Sequence, residues 1–347
     1  MALGEEGRGR RILLVSTSTF PCPPAFYGGA ELVVYNLAVG LRDLGYEVSV
    51  AAPEGSKLPE GIEWINTGRC GFDNPEHEAY EEYKEKLDDF SVVLDHTWKF
   101  FSVQSKMRNP SLKIIKTLHG TRPWGSKPPL DKPCLVGVSK WHTQYIRDIY
   151  EVDAEYAYNG IDLAQYPYCE EKEDYLMFLA RMSYYKGALQ FINVCKKTGM
   201  KGVLVGSDQY IEDFNFVWEV MSRCDGKQIQ YYGEVPHQLK LHLLQHAKAL
   251  ISPLLYEYAE VFGLNLVESL AVGTPVICTD RGATSEIVED KISGFVVPFV
   301  GAIPAAVEKL DEIRSKDCRA QAEKFSLQEM AHRYSYLIKK ILNDSEW

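Results

Sequence analysis

Short apolar runs alternate with longer amphipathic patterns along most of this 347-residue chain. Runs of a few mostly apolar residues predict the β-strands. In the first half these strands are Arg11–Val15, Val48–Ala52, Val92–Asp95, Lys113–Leu118, Cys134–Val138 and about Glu155–Tyr158. In the second half they are Tyr175–Leu179, Gly202–Val205, Gln228–Tyr232, Ala249–Ser252, Pro275–Cys278 and Phe295–Val297. This alternation is typical of βα units on parallel sheets and predicts an α/β fold.

The clearest helical pattern lies at Ala30–Leu44. Apolar residues three or four positions apart line one face of it, namely Val33, Leu37, Leu41 and Leu44. Gly45 follows and is a natural helix stop. The other predicted helices are a charged, solvated segment at Pro75–Asp89, and Lys240–Lys248, Gly263–Val272 and Leu327–Leu342.

Two domains fit the length of the chain. The first ten residues, 1–10, are expected to form a mobile tail. Residues 11–162 and 163–326 each carry one series of strands and predict two Rossmann-like domains that face each other. Turn residues and charges from Asn159 to Asp174 indicate the linker, and residues 327–347 contain the last helix.

Composition excludes several classes of function. The net charge is −10, and residues 1–162 and 163–347 each carry −5, which argues against nucleic-acid binding and gives no support to peripheral membrane contact. The eight cysteines form no C-x-x-C pair, so a zinc site or a disulfide scaffold is not expected. No apolar run reaches the roughly 18 residues of a membrane span. We therefore expect a cytoplasmic protein.

A glycine pair opens the first long helix. Gly28 and Gly29 follow the first strand after a proline-rich loop, in the stretch Tyr27–Glu31. Glycines at a helix start let a ligand approach bare N–H groups at the positive end of the helix dipole. A purely structural turn is the alternative. No G-x-G-x-x-G motif follows a strand, so the pair is not a dinucleotide fingerprint.

Two histidines follow predicted strands. His96 and His119 stand where the third and fourth strands of the first half run out. The carboxyl ends of parallel strands border the ligand crevice, so both are candidate site residues. A core or surface role is the alternative, and it is preferred for His142, His237, His242 and His246.

Two cations follow the first strand of the second half. Arg181 and Lys186 are five residues apart, and Lys186 is followed by Gly187 at the start of an apolar helix. Such a loop could hold two oxygens of a diphosphate, through the arginine fork and the lysine point charge. Solvated surface charge is the alternative.

Two glutamates carry the most specific signal. Glu260 precedes the pair Phe262-Gly263, and Glu268 lies inside an apolar helical pattern. A carboxylate in a mostly buried helix needs a partner, and ligand hydroxyls would supply one. Helix-surface or N-cap roles are the alternatives. No D-x-D triplet occurs, so the sequence supports no metal–diphosphate site.

Together these motifs resemble the retaining glycosyltransferases of family 4, which have the two-domain GT-B fold. The resemblance extends from Ile12 to about Val297, and its most specific part is Glu260-x-Phe-Gly-x-x-x-x-Glu268-x-x-Ala-x-Gly-Thr-Pro-Val. Further similar segments are Gly28–Glu31, Leu41–Val48, Val138–Lys140, Asn159–Asp162, Arg181 with Lys186-Gly187, and Gly282–Val288.

The resemblance implies a nucleotide diphospho-sugar donor (UDP-, GDP- or ADP-sugar), with no prosthetic group and no metal. It implies that Arg181 and Lys186 neutralise the diphosphate, that Glu260 holds the transferred sugar, and that Glu268 holds the ribose. It further implies donor contacts from Gly28, Gly29, Gly233, Val235, Val261, Phe262, Gly263 and Leu264. His119 matches the catalytic histidine, His96 is a candidate acceptor contact, and the last helix would cross back to the N-terminal domain.

The function that follows is the transfer of a hexose-type sugar to a carbohydrate or other hydroxyl acceptor, with retention of configuration by a front-face route. Two alternatives stay open. One is another sugar-nucleotide enzyme of GT-B architecture, such as an epimerase or an inverting transferase. The other is a non-catalytic sugar- or partner-binding module on the same scaffold. The donor base, the sugar, the acceptor and the oligomeric state do not follow from the sequence.

Overall fold

The structure, a computed structural model, describes residues 7–71, 76–121, 130–208 and 213–347. The chain divides into two compact units, Met1–Ile161 with Ser326–Trp347, and Asp162–Phe325. Each unit is built on one sheet of parallel strands. The predicted α/β fold with two parallel sheets is therefore confirmed.

The first unit contains seven strands within the described residues, in the order β3-β2-β1-β4-β5-β6-β7. They are β1 (Arg11–Val15), β2 (Glu47–Ala52), β3 (Ile62–Asn66), β4 (Val92–Asp95), β5 (Ile114–Leu118), β6 (Leu135–Gly137) and β7 (Ala154–Tyr156). The accompanying helices are α1 (Gly29–Asp43), α2 (Glu76–Tyr83), α3 (Phe101–Ser105) and α4 (Lys140–Tyr150). The central strands β1 and β4 are almost wholly buried, as expected for a parallel sheet covered on both faces.

The second unit contains six strands among the residues that the structure describes, in the order β10-β9-β8-β11-β12-β13. They are β8 (Tyr175–Leu179), β9 (Lys201–Val205), β10 (Ile229–Gly233), β11 (Ala249–Ser252), β12 (Val276–Thr279) and β13 (Gly294–Val297). The helices of this unit are α5 (Ala188–Thr198), α6 (Phe214–Ser222), α7 (His237–His246), α8 (Leu264–Ala271), α9 (Thr284–Ile287), α10 (Ile303–Val307) and α11 (Ser315–Glu323).

The charged segment before β4 is less solvated than its composition indicates. Pro75 lies outside the described residues. Helix α2 ends at Tyr83, and a 3-10 helix continues over Lys84–Asp89. Ala79, Tyr83 and Leu87 are buried at intervals of four residues, so one face of the segment packs into the core despite the many charges.

Part of the predicted N-terminal tail is anchored. Residues 1–6 lie outside the described part of the chain. The N–H of Gly7 donates to the carbonyl of Leu44 at 3.1 Å, and Glu47 N–H donates to the carbonyl of Arg10 at 3.0 Å. These two bonds attach residues 7–10 to the end of α1 and to the start of β2.

The last helix, α12 (Leu327–Leu342), returns to the first unit as predicted. It packs on α1 at Gly40, where an added Cβ would lie 2.6 Å from the Cβ of Ala331. The hydroxyl of Tyr334 lies 2.8 Å from the Oγ1 of Thr117 in β5. The close approach of the two helices thus depends on the absence of a side chain at position 40.

Trp347 attaches the segment after α12 to the sheet of the first unit. Its ring N–H donates to the carbonyl of Leu135 at 2.8 Å, and its own carbonyl accepts from the N–H of Cys134 at 2.9 Å. Replacing Trp347 by alanine should destabilise this unit by about 3–5 kcal/mol, since a large buried side chain is lost. Calorimetry should record a fall in Tm of roughly 2–4 °C per kcal/mol. Trp347→Phe is the control and should recover most of the loss. Equal Tm values for the wild type and Trp347→Ala would contradict this role.

Candidate functional site

The strand order of the second sheet reverses between β8 and β11. From β8 the chain continues through β9 to β10 on one side, whereas β11, β12 and β13 follow on the other. The loops after β8 and β11 therefore diverge, and the crevice at such a point is where open α/β sheets bind ligands. Arg181 and Lys186 come from the loop after β8, and Glu260 comes from the loop after β11.

Lys186 and Glu260 form an ion pair at this point. The Nζ of Lys186 lies 2.5 Å from the Oε2 of Glu260, and the two side chains are 13% and 12% exposed. The same Nζ lies 3.1 Å from the hydroxyl oxygen of Tyr258 and 4.2 Å from the centroid of its ring. Two residues that the sequence analysis placed in the site, 74 positions apart, are thus in direct contact.

The electrostatics of the pair keep Lys186 charged. Burial alone would lower its pKa, but the carboxylate of Glu260 and the hydroxyl of Tyr258 outweigh burial, and the pKa of Lys186 lies above its usual value. Burial, with the negative charge of Glu260, raises the pKa of Tyr258 to about 12. At neutral pH Lys186 is therefore an ammonium and Tyr258 is a neutral phenol.

Arg181 joins this cluster through two stacked tyrosines. Its Nη2 donates to the hydroxyl of Tyr185 at 2.6 Å. The rings of Tyr185 and Tyr258 are nearly parallel, with centroids 4.5 Å apart and an interplanar angle of 10°. Neither tyrosine was predicted as a site residue: Tyr185 lies in a three-residue 3-10 helix, Tyr184–Lys186, and Tyr258 lies in a loop, and neither segment has a periodic pattern.

The backbone of Glu260 is fixed by the segment after β12. The N–H of Ala283 donates to the carbonyl of Glu260 at 2.7 Å, and Gly282 pairs with Glu260 in an isolated β-bridge. Gly282 has a φ of 68°, and a Cβ at this position would lie 2.2 Å from the Glu260 carbonyl oxygen. Only glycine allows this approach, which gives the similar segment Gly282–Val288 a physical role.

Glu268 lies within α8 and is 5% exposed, which excludes the helix-surface alternative. Its Oε1 accepts from the hydroxyl of Tyr166 and from the Nζ of Lys240, each at 2.7 Å. Burial and the charge of Glu268 raise the pKa of Tyr166 above its usual range, so the phenol stays a donor. Both donors face Oε1, and no hydrogen bond to Oε2 is found among the residues that the structure describes.

The other predicted donor contacts lie at the same edge of the second sheet. Gly233 ends β10, and its carbonyl accepts from the N–H of Gly206 at 2.9 Å. Phe262 is buried and packs edge-to-face on Phe325, with centroids 5.7 Å apart, so its side chain belongs to the core. Any ligand contact from Phe262 would therefore come from its backbone. Val235, Val261 and Leu264 are partly buried, and Gly263 has a φ of 90° directly before α8.

The strand order of the first sheet reverses between β1 and β4. Gly28 lies after β1 with a φ of 156°, and a Cβ there would approach the side chain of Pro24 to 2.6 Å. Gly29 begins α1. In the first turn of this helix Glu31 is 3% exposed, its carboxylate accepts from the Thr17 hydroxyl, and burial raises its pKa. This buried carboxylate was not predicted.

His96 and His119 are brought together. The Nδ1 of His96 lies 2.9 Å from the Nε2 of His119, and the rings are 5.2 Å apart and tilted by 30°. His96 is fully buried, so in this structure it lies behind His119 rather than at a surface that an acceptor could contact. His119 borders a cavity together with Trp98, Leu118 and Tyr145.

A third histidine, His142, supports the loop after β5, although the sequence analysis preferred a core or surface role for it. Its Nε2 lies 3.1 Å from the carbonyl oxygen of Gly120, the residue after His119. Burial lowers the pKa of His142 to about 4, and burial with the charge of Lys116 lowers that of His96 to about 3. The pKa of His119 also falls well below its usual value, through burial and these neighbours. All three imidazoles are neutral at physiological pH.

In the described ranges, no group of three or more His, Cys, Asp or Glu residues is arranged to hold a metal ion. None of the helices in these ranges has the length and apolar character that a membrane crossing requires.

Family models and known proteins match the chain over most of its length. The model described as Glycosyltransferase Family 4 matches residues 27–165, and the model described as Glycosyl transferases group 1 matches residues 168–333. An uncharacterized glycosyltransferase of Methanocaldococcus jannaschii is 24% identical over 338 residues, covering 82% of this chain and 84% of that protein.

Solved structures match over nearly the whole chain. The structure of AviGT4, a glycosyltransferase involved in avilamycin A biosynthesis, is 26% identical and has a TM-score of 0.80, with 97% of this chain and 99% of that chain covered. Anabaena HepE in complex with UDP-glucose is 14% identical and has a TM-score of 0.73, with 96% and 100% covered. The second likeness supports the fold alone.

Proposed function

Because the chain belongs to the family 4 glycosyltransferases and has their GT-B fold, we propose that it moves a hexose-type sugar from a nucleotide diphospho-sugar to a hydroxyl acceptor. We propose further that the anomeric configuration is retained. That the protein is a glycosyltransferase follows from the family; the donor, the sugar and the stereochemistry are the proposal.

One observation carries this proposal. The Lys186–Glu260 pair lies where the strand order of the second sheet reverses. Glu268 lies further along the same chain segment, and its Oε2 has no hydrogen-bond partner within the described ranges. A cation suits a diphosphate, and carboxylates suit the hydroxyls of a sugar and a ribose. A nucleotide diphospho-sugar offers all of these groups on one molecule. HepE, of the same fold, binds UDP-glucose.

In the proposed reaction the C1–O bond to the diphosphate breaks as a new C1–O bond to the acceptor forms on the same face of the sugar. The departing phosphate oxygen takes the proton of the acceptor hydroxyl, so atoms and charges balance without another base. Arg181 and Lys186 stabilise the negative charge that develops on the leaving diphosphate. Since these side chains supply the positive charge, the proposed reaction needs no divalent metal ion.

The other roles are proposals that rest on the family resemblance. Glu260 would hold hydroxyls of the transferred sugar, Glu268 would hold those of the ribose, and His119 would contact the reacting sugar. The remaining contacts to the donor would come from Gly28, Gly29, Gly233, Val235 and the backbone of residues 261–264. His96 would act through His119 instead of contacting the acceptor. The eight free cysteines support a place in the reducing cytoplasm.

A donor screen tests the proposal. Calorimetric titration with UDP, GDP and ADP should reveal one nucleotide that binds with a Kd in the micromolar range or tighter, as expected for a few charge-assisted contacts. The matching nucleotide sugar should then release nucleoside diphosphate in the presence of an acceptor, and NMR of the product should show retained configuration. Binding of none of the three would refute the donor class, and an inverted product would refute the mechanism.

A further inference from the structure

The histidine pair of the first unit leaves one ring nitrogen without a hydrogen-bond partner. His96 is fully buried, and its Nδ1 is bonded to the Nε2 of His119. Its other nitrogen, Nε2, is buried and has no hydrogen-bond partner among the residues that the structure describes. A neutral imidazole carries one N–H and one bare nitrogen, so this unpartnered atom limits where the protons of the pair can lie.

Two arrangements of protons are conceivable. If His119 donated from Nε2, then Nδ1 of His96 would be bare and its Nε2 would carry a buried N–H with no acceptor. If His96 donates from Nδ1, then its Nε2 is bare and only a lone pair is left without a partner. Orphaned buried N–H groups are rare in folded proteins because their desolvation is costly. The second arrangement is therefore favoured.

We propose that His96 is a positioning residue that fixes His119 in the Nδ1–H tautomer, so that His119 presents a hydrogen-bond donor, and no basic nitrogen, to its open side. His119 is partly exposed, and no described residue is hydrogen-bonded to its Nδ1. An N–H directed to solvent suits a hydroxyl or ring oxygen of a sugar. The functional part of this inference rests on the proposed sugar transfer, but the tautomer itself does not.

The donor role excludes one mechanism for His119. A histidine that deprotonates the acceptor needs a bare nitrogen directed at the substrate. In the fixed tautomer the bare Nε2 is already occupied by the N–H of His96. His119 then binds and orients the sugar, while the leaving phosphate remains the proton acceptor.

His142 provides an internal reference for the measurement. Its Nε2 faces the carbonyl oxygen of Gly120 at 3.1 Å, and its Nδ1 faces the backbone N–H of Val138 at 3.3 Å. A carbonyl can only accept and a backbone N–H can only donate, so His142 must be the Nε2–H tautomer. The three clustered histidines should therefore divide into two spectroscopic classes.

Long-range proton–nitrogen correlation spectra of the free protein with ¹⁵N-labelled histidine test the tautomer. We expect protonated Nδ1 and bare Nε2 for His96 and His119, and the opposite pattern for His142. Single substitutions of each histidine assign the signals. A proton on Nε2 of His119 in the wild-type protein overturns the inference, whatever the variants do. The spectra need no substrate, so this result stands even if no nucleotide sugar is turned over.

Two pairs of variants separate a positioning role from space filling. His96→Phe fills the same volume without an N–H, and it should give averaged His119 signals and roughly tenfold lower turnover, the loss expected for one hydrogen bond. His96→Asn can still donate and should retain the tautomer and most of the turnover.

A second pair of variants tests the donor role of His119 itself. His119→Asn can donate a hydrogen bond and should be more active than His119→Asp, which can only accept one. Wild-type spectra and turnover in His96→Phe, or a more active His119→Asp, would overturn the inference.

Discussion

Replacing Lys186 by methionine is expected to lower kcat by roughly 10²- to 10³-fold, the usual effect of removing one electrostatic contact to a developing charge. The substitution keeps most of the length of the side chain but removes the ammonium that lies 2.5 Å from Glu260. In the proposed reaction this ammonium stabilises the departing diphosphate, so the loss should appear in turnover more than in donor affinity. The measurement is the steady-state release of nucleoside diphosphate.

A second effect of this substitution has to be separated from the first. Without Lys186, the carboxylate of Glu260 stays in a site where it is 12% exposed and has lost its cation, which destabilises the second unit. The double variant Lys186→Met/Glu260→Gln removes both charges and should recover the Tm. It should not recover turnover. If turnover returned together with the Tm, Lys186 would be a structural partner of Glu260 only.

Lys248 offers a matched control in the same unit. It lies 3.6 Å from Asp174 and 3.5 Å from Asp311, and both carboxylates are 89% exposed. Exposed pairs of this kind contribute about 0–1 kcal/mol to stability. Lys248→Met should therefore leave both kcat and Tm close to the wild-type values. This result would show that the effects of Lys186→Met do not arise from the loss of any lysine in this unit.

The four strands whose predicted bounds match the structure are almost wholly buried, whereas the less buried edge strands β7 and β10 were predicted with shifted ends. β1, β4, β8 and β11 read as continuous apolar runs and end where predicted. Strand β3 was missed because only Ile62 and Ile65 of its five residues are buried. As the last strand at one edge of the first sheet, it lacks both the apolar run and the strict alternation on which strand prediction depends.

Short local motifs predicted the principal residues of the candidate site, but they did not predict the partners of these residues. Glu260 and Glu268 belong to one short segment, and Arg181 and Lys186 belong to another. Their partners are distant: Tyr166 is 102 positions from Glu268, and Lys240 is 28 positions away on another helix. No local pattern encodes such a contact, because it depends on how α7, α8 and the segment before β8 pack. The contact between His142 and the loop after β5 was missed for the same reason, because it joins residues that are 22 positions apart.

Replacing Glu260 and Glu268 separately by glutamine should give two different kinetic defects. Glu268→Gln should raise the nucleotide Kd roughly 10- to 100-fold and change kcat little, since hydrogen bonds to a charged acceptor are worth about 1.5–3 kcal/mol in both ground and transition states. Glu260→Gln should lower kcat roughly 10²-fold and leave the nucleotide Kd nearly unchanged, because the transferred sugar is absent from the nucleotide. Calorimetry gives Kd, and initial rates give kcat.

Tyr166→Phe provides the control for the affinity defect. It removes the hydroxyl that lies 2.7 Å from Oε1 of Glu268, but the carboxylate and its bond to Lys240 remain. If Glu268 binds ribose through Oε2, this variant should weaken nucleotide binding only a few-fold, about the worth of one neutral donor. A loss as large as that of Glu268→Gln would mean that the orientation of the carboxylate, and not its charge, sets the affinity. Equal defects in both kcat and Kd for the two glutamine variants would refute the division of roles. A carboxylate that holds the ribose should act on nucleotide binding, whereas one that holds the transferred sugar should act on turnover.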